Sequence, residues 1–364
     1  MKSLFALALF ICLFLPIRTH AENWLDRSHE IPTTVLDNYV NIPYFSFAQS
    51  RGHDWLAGNP NQLIHVLPET IIDLTPDLLK FGFSNIRRVS TDGSGWIILG
   101  DARAWQSRPD LAMYYDGMYF KNISHVIRAL PRDEWIGDIA GKQGMWYIAT
   151  HKNLYAWHSA FDEPIKIKLP DGLLEARVSE PQLFSVEHGW IIVFEQNNHL
   201  KSLAVGRKTI EKRFYFFDGQ NFSEITDKLG NLSSYSTIGS NGKELFIMGS
   251  SITPEQTTYH AYTTNGLIIK NVYNIIASLL PNTISAESQI FANQTKAVWT
   301  GSAWFFISPA KQAAIWHPAM NAKLLPTTKD TFLNAGYGKN GVILLTGYSD
   351  KQGLHEPKIV QAQF

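Results

Sequence analysis

Trp96-Ile97-Ile98-Leu99-Gly100 is an aromatic residue followed by a branched apolar run and closed by a small residue. The pattern returns as Trp55-Leu56-Ala57-Gly58, Trp146-Tyr147-Ile148-Ala149-Thr150, Trp190-Ile191-Ile192-Val193, Leu245-Phe246-Ile247-Met248-Gly249, Trp304-Phe305-Phe306-Ile307-Ser308 and Ile343-Leu344-Leu345-Thr346-Gly347. Seven copies start 39 to 59 residues apart. A repeat of that length, built from short strands and turns, is the signature of a β-propeller, because each sheet can bury its faces only against its neighbours.

Around each anchor the same parts recur: a strand ending in a polar glycine turn, the anchor strand, a connection of variable length, and two further strands. Tyr114-Tyr115-Asp116-Gly117-Met118-Tyr119-Phe120 and Tyr215-Phe216-Phe217-Asp218-Gly219-Gln220-Asn221-Phe222 show the third and fourth strands. Asp-Gly between aromatic runs predicts a tight hairpin with a primed turn at its two central residues, and Asn265-Gly266 repeats it. The expected fold is therefore all-β, a seven-bladed propeller of four-stranded antiparallel blades. The last blade lacks an outer strand, since only 358–364 follow its anchor as a further strand. Residues 31–36 are expected to fill that gap, so that the N- and C-terminal strands close the ring.

Residues 1–21 combine Lys2, an apolar run, Pro16 and the small-residue end Thr19-His20-Ala21, which reads as a signal peptide followed by a single domain over 22–364. The apolar run is too short to span a bilayer. Cys12, the one cysteine, lies within this leader, so the mature chain offers no disulfide, cysteine nucleophile or thiolate metal site. Loss of Lys2 and Arg18 leaves the mature chain at a net charge of −2, against the +0 of the whole sequence. That near-neutral balance argues against nucleic acid as a partner. A secreted or periplasmic, monomeric protein without a membrane span is expected.

The strand, Gly, connection and Tyr-Asp-Gly order, with an aromatic three residues past the Gly, resembles kelch-type and related secreted propeller repeats. The resemblance implies a binding habit and carries no reaction. Ser90-Thr91-Asp92-Gly93-Ser94-Gly95-Trp96 resembles the Asp-box of sialidase-like propellers, with its Gly displaced and its place before the second strand; that box is a structural element. No His-Glu-x-x-His, Gly-x-Ser-x-Gly or phosphate-loop pattern occurs, and no metal or cofactor is expected.

Two places are expected to carry a site. Stepping back from each anchor along the preceding strand reaches Phe47, Arg88, Asp138, Gln182, Thr237, Lys296 and Tyr337, an unusually polar set for an innermost layer. Of these, Arg88, Asp138, Gln182 and Lys296 are candidate ligand residues of the central channel. The variable connections mark the second place. From anchor to the third-strand residue aligned with Tyr115, the spacings in the first six blades are 11, 19, 11, 27, 19 and 12 residues. The long connection at 101–110 offers Arg103, Trp105 and Arg108 for stacking and hydrogen bonding to a sugar or peptide, and that at 196–212 is basic. The sequence favours a non-enzymatic module binding a protein or glycan through this loop face; the alternative is a glycan-active, sialidase-like hydrolase at the channel mouth.

Overall fold

The computed structural model describes residues 23–32, 45, 47–103, 108–158, 163–170, 181–197, 210–230, 232, 234–252, 256–277, 295–307, 313–318, 322–325, 330–337, 342–351 and 354–363. The expected leader, residues 1–21, lies outside them, as do Trp105 and most of the basic 196–212 connection. Among the described residues no helix is long and apolar enough to cross a membrane.

Seven four-stranded antiparallel sheets stand around one axis, and neighbouring inner strands pack against one another all the way round. The anchor is the second strand of each blade. Trp96–Asp101 shows why it reads as an unbroken apolar run: Trp96 and Ile98 pack toward blade one, while Ile97 and Leu99 pack toward blade three. A strand buried on both faces needs apolar residues at every position. Each blade-to-blade junction is one hydrophobic cluster, seven in all.

The register reproduces the anchor-to-partner spacings of the first six blades. Trp55 pairs with Val66, Trp96 with Tyr115, Trp146 with Trp157, Trp190 with Phe217, Leu245 with Thr264, and Trp304 with Trp316. In blade seven Ile343 pairs with Ala362.

The ring closes through the chain ends, but by a different segment from the one expected. The outer strand of blade seven is Asn23–Asp26, paired with Leu354–Gln363 as Trp24 with Ala362 and Leu25 with Gln361. Of the expected segment, Ile31 follows a single 3-10 turn, Ser28–Glu30, and is buried at the junction of blades seven and one; residues 33–36 lie outside the described set. Arg27 decides the placement. Its side chain is 1% exposed, its Nη1 donates to the Leu67 carbonyl of blade one at 2.6 Å, and its Nε donates to Glu30 at 2.8 Å. The closing strand must therefore end at residue 26, where Arg27 can turn inward.

The Asp-Gly turns also differ from expectation. Only Gly117 (φ 99°), Gly219 (φ 102°) and Gly266 (φ 96°) have positive φ there. Each glycine thus holds the first central position of a type II′-like turn, and the Asp or Asn precedes it. Asp116 Oδ1 accepts from the Met118 and Tyr119 backbone N–H groups at 2.8 and 2.7 Å, and Asp218 and Asn265 do the same for the two corresponding residues. The Asp92 carboxylate likewise accepts from Ser94 and Gly95, so the Asp-box-like stretch is a turn.

Candidate functional site

The innermost strands enclose a channel of about 610 Å³. Arg88, Asp138, Gln182, Thr237 and Lys296 all line it. They share one level, because each pairs with the residue three beyond its anchor: Arg88 with Leu99, Asp138 with Ala149, Gln182 with Val193, Thr237 with Met248 and Lys296 with Ile307. Phe47, opposite Gly58, completes the same level in blade one.

The seventh member is Asn334 and not Tyr337. Asn334 pairs with Thr346, three beyond the anchor Ile343, while Tyr337 pairs with Ile343 itself, at the hairpin end. Ile343 pairs six residues back where the other anchors pair five back, which displaces the count, and a bulge between Phe332 and Asn334 immediately precedes the ring position. Similar bulges immediately precede Arg88, Asp138 and Thr237. In the other three blades the inner ladder starts at this level, with Phe47, Gln182 and Lys296. In four blades a bulge thus stands at the ring, where it re-aims side chains and frees backbone groups for other partners.

Asp138 shows what that achieves. Its Oδ1 accepts from Arg88 Nη1 at 2.5 Å and from the Ile139 N–H at 2.7 Å, and its Oδ2 accepts from the Leu183 N–H at 2.8 Å. One carboxylate thus ties blades two, three and four together. Burial pushes its pKa up, against the pull of the Arg88 guanidinium and the two backbone donors. Lys296 is different: among the described residues it has no ion-pair partner, and although it is exposed to the channel, the surrounding wall partly desolvates it and lowers its pKa from the ordinary lysine range. Thr237 is 3% exposed and its Oγ1 has no hydrogen-bond partner.

The loop candidates do not join this ring. The channel lining runs from the ring level toward the turns between first and second strands, through Thr91, Gly141, Ser185 and Asn241. Arg103 follows Asp101, which pairs with Asn85 at the opposite end of the blade, so it belongs to the other face. It is exposed there. Arg108 is engaged by the fold, donating to the backbone carbonyls of Ile127, Leu130 and Pro131 around the end of the short helix Ser124–Arg128. Trp105 lies outside the described residues.

That other face carries arms that composition alone hid. In blade four Gly189–Asn197 and Ile210–Phe217 run four residue pairs beyond the end of the inner strand. In blade seven Val342–Lys351 and Leu354–Gln363 run three pairs beyond it. At roughly 3.3 Å per residue these ribbons rise about 10 to 13 Å above the disc. The basic character of the blade-four arm is offset where it is described: Lys212 pairs with Glu195, and Arg213 with Glu224 at 2.8 Å. Trp135, 51% exposed on this face, stacks on His151 with ring centroids 4.4 Å apart, a feature that a lone Trp in a connection does not announce.

Among the described residues no group of three His, Cys, Asp or Glu side chains could hold a metal ion. Asp138 is the single carboxylate among the described channel-lining residues.

No family model matches this chain, and no curated protein matches it. Solved propellers do. The β-propeller domain of the Trilobed protease from Pyrococcus furiosus aligns with a TM-score of 0.52 at 10% identity, over 87% of this chain and 94% of that one. YCF48 from Cyanidioschyzon merolae aligns with a TM-score of 0.53 at 7% identity, over 94% and 99%. The Pan2 WD40 domain from Neurospora crassa aligns with a TM-score of 0.51 at 8% identity, over 94% and 96%. At such identities the similarity concerns the fold.

Proposed function

We propose that this protein is an exported, non-enzymatic binding module that holds a macromolecular ligand, a protein or a glycan, on the face carrying the blade-four and blade-seven arms. The arms carry this reading. A propeller disc needs no ribbon beyond its inner strands to pack its junctions, and a ribbon edge that the fold leaves uncovered offers backbone groups to a partner. Export rests on the leader pattern at 1–21. The kelch-type order of its repeats supports a binding habit.

A glycoside hydrolase would need two carboxylates about 5 to 10 Å apart. Among the described channel-lining residues Asp138 has no such partner, and its oxygens are engaged by three donors. The observation therefore favours binding over cleavage.

The test is to trim both arms to the level of the disc and measure retention on a glycan array and on immobilised culture-supernatant proteins. The intact mature protein should bind and the trimmed one should not, at an unchanged melting temperature. Undiminished retention by the trimmed protein would refute the assignment.

A further inference from the structure

We infer that the central channel is a second binding site, separate from the arm face, and that it takes a small hydroxylated carboxylate such as a sugar acid. Three observations support it.

The first is charge. Among the described lining residues the charged groups are Arg88, Lys296 and Asp138, which leaves one net positive charge in a narrow polar space. Asp138 is committed to Arg88 and to two backbone N–H groups. The excess therefore resides on Lys296 and on the Arg88 donors that do not face Asp138. A concave wall of one sign concentrates ions of the other.

The second is an unmet hydrogen bond. Thr237 lines the channel at the ring level, and its Oγ1, out of solvent contact as it stands, has no hydrogen-bond partner. A buried hydroxyl without a partner is costly, and a turn about its χ1 bond would bring it to an occupant of the channel. Thr237 belongs to the blade beside that of Lys296, and the two strands pack together. One molecule can therefore meet a cation and a hydroxyl at once.

The third is construction. A bulge stands at this level in four of the seven blades, and bulges gather where a side chain is re-aimed toward a site. The volume, about 610 Å³, is within the range of roughly 300–1,000 Å³ usual for small-molecule pockets. Below the ring the wall is lined by Ser90, Ser185, Ser240 and Asn241, groups that suit the hydroxyls of a ligand better than an apolar tail. The carboxylate is assigned to Lys296 and Arg88, and the hydroxyls to Thr237 and this lower wall.

The experiment is calorimetric titration of the mature protein with D-galacturonate, its neutral counterpart D-galactose, and inorganic phosphate, for wild type, Lys296→Met and Thr237→Val. The expected result is binding of galacturonate with no detectable binding of galactose. Lys296→Met should weaken it at least tenfold and Thr237→Val severalfold, with both variants melting no lower than wild type. No galacturonate binding, equal binding of galactose, or phosphate binding more tightly than galacturonate would each overturn the inference. So would a Lys296→Met protein that binds as well as wild type. The arm-trimmed protein should bind galacturonate normally, which keeps this result independent of the arm face.

Discussion

Arg88 and Asp138 lie on adjacent blades, yet they meet at 2.5 Å through a guanidinium and a carboxylate that belong to one ring around the axis. The carboxylate also receives the Leu183 N–H of the next blade at 2.8 Å. It therefore binds three sheets where their inner strands converge, and that position makes it more a structural pin than a catalytic acid.

Asp138→Asn should lower stability by about 1–3 kcal/mol, the cost of leaving a buried donor unmet. The amide can face Arg88 with its oxygen only by turning its own N–H groups toward the Leu183 N–H. Urea denaturation should show a lower midpoint at an unchanged slope.

Asp54 predicts a pH dependence. Burial raises its pKa, but the hydrogen bonds from His65 and Arg51 outweigh this and hold it below the ordinary carboxylate value of 3.8. A depressed carboxylate contributes stability above its unfolded pKa and loses it as pH falls through the folded one. Asp54→Asn should therefore be clearly less stable than wild type at pH 7, and the difference should shrink below pH about 3.8. Urea midpoints at both pH values measure it.

Arg27→Ala should open the ring closure. The mutation leaves the Leu67 carbonyl and the Glu30 carboxylate without their guanidinium, and hydrogen bonds involving a charged group contribute about 1.5–3 kcal/mol each. Glu30 is 27% exposed, which discounts its bond, and a loss of about 2–4 kcal/mol is expected. Hydrogen exchange should quicken first in Asn23–Asp26 and Leu354–Gln363.

Gly266→Ala should be destabilising by about 1–3 kcal/mol. At φ 96° an L side chain is strained, and a Cβ there would lie 2.2 Å from the Phe216 ring of the preceding blade. Calorimetric melting should show the loss, whereas Gly242→Ala, with φ 80° and open space around it, should cost less.

The anchor strands were legible because burial on both faces forces an apolar run, and their spacing carried the blade count and six registers. The ring candidates were legible because Arg88, Asp138, Gln182 and Lys296 interrupt apolar surroundings. Three features were hidden for physical reasons. Asn23–Asp26 is four residues long and shows no apolar alternation, and the buried Arg27 beside it reads as surface. The anchor Ile343 pairs six residues back, with Tyr337, where the other anchors pair five back, so counting along the sequence missed the seventh ring position, Asn334. The blade-seven arm contains Ser349, Asp350, His355 and Glu356, polar residues that resemble a loop until their pairing is seen.

The ring site and the arm face both depend on seven sheets fastened by the first strand, and one pair of cysteines tests that fastening. Leu25 and Gln361 are register partners across the closure, and the sequence beyond residue 21 has no cysteine of its own, since Cys12 is the only one. The doubly substituted Leu25→Cys, Gln361→Cys protein should form an intramolecular disulfide on mild oxidation of the native state and melt at a higher temperature than its reduced form. Two thiols that stay free in the folded, oxidised protein would contradict the closure and the ring built on it.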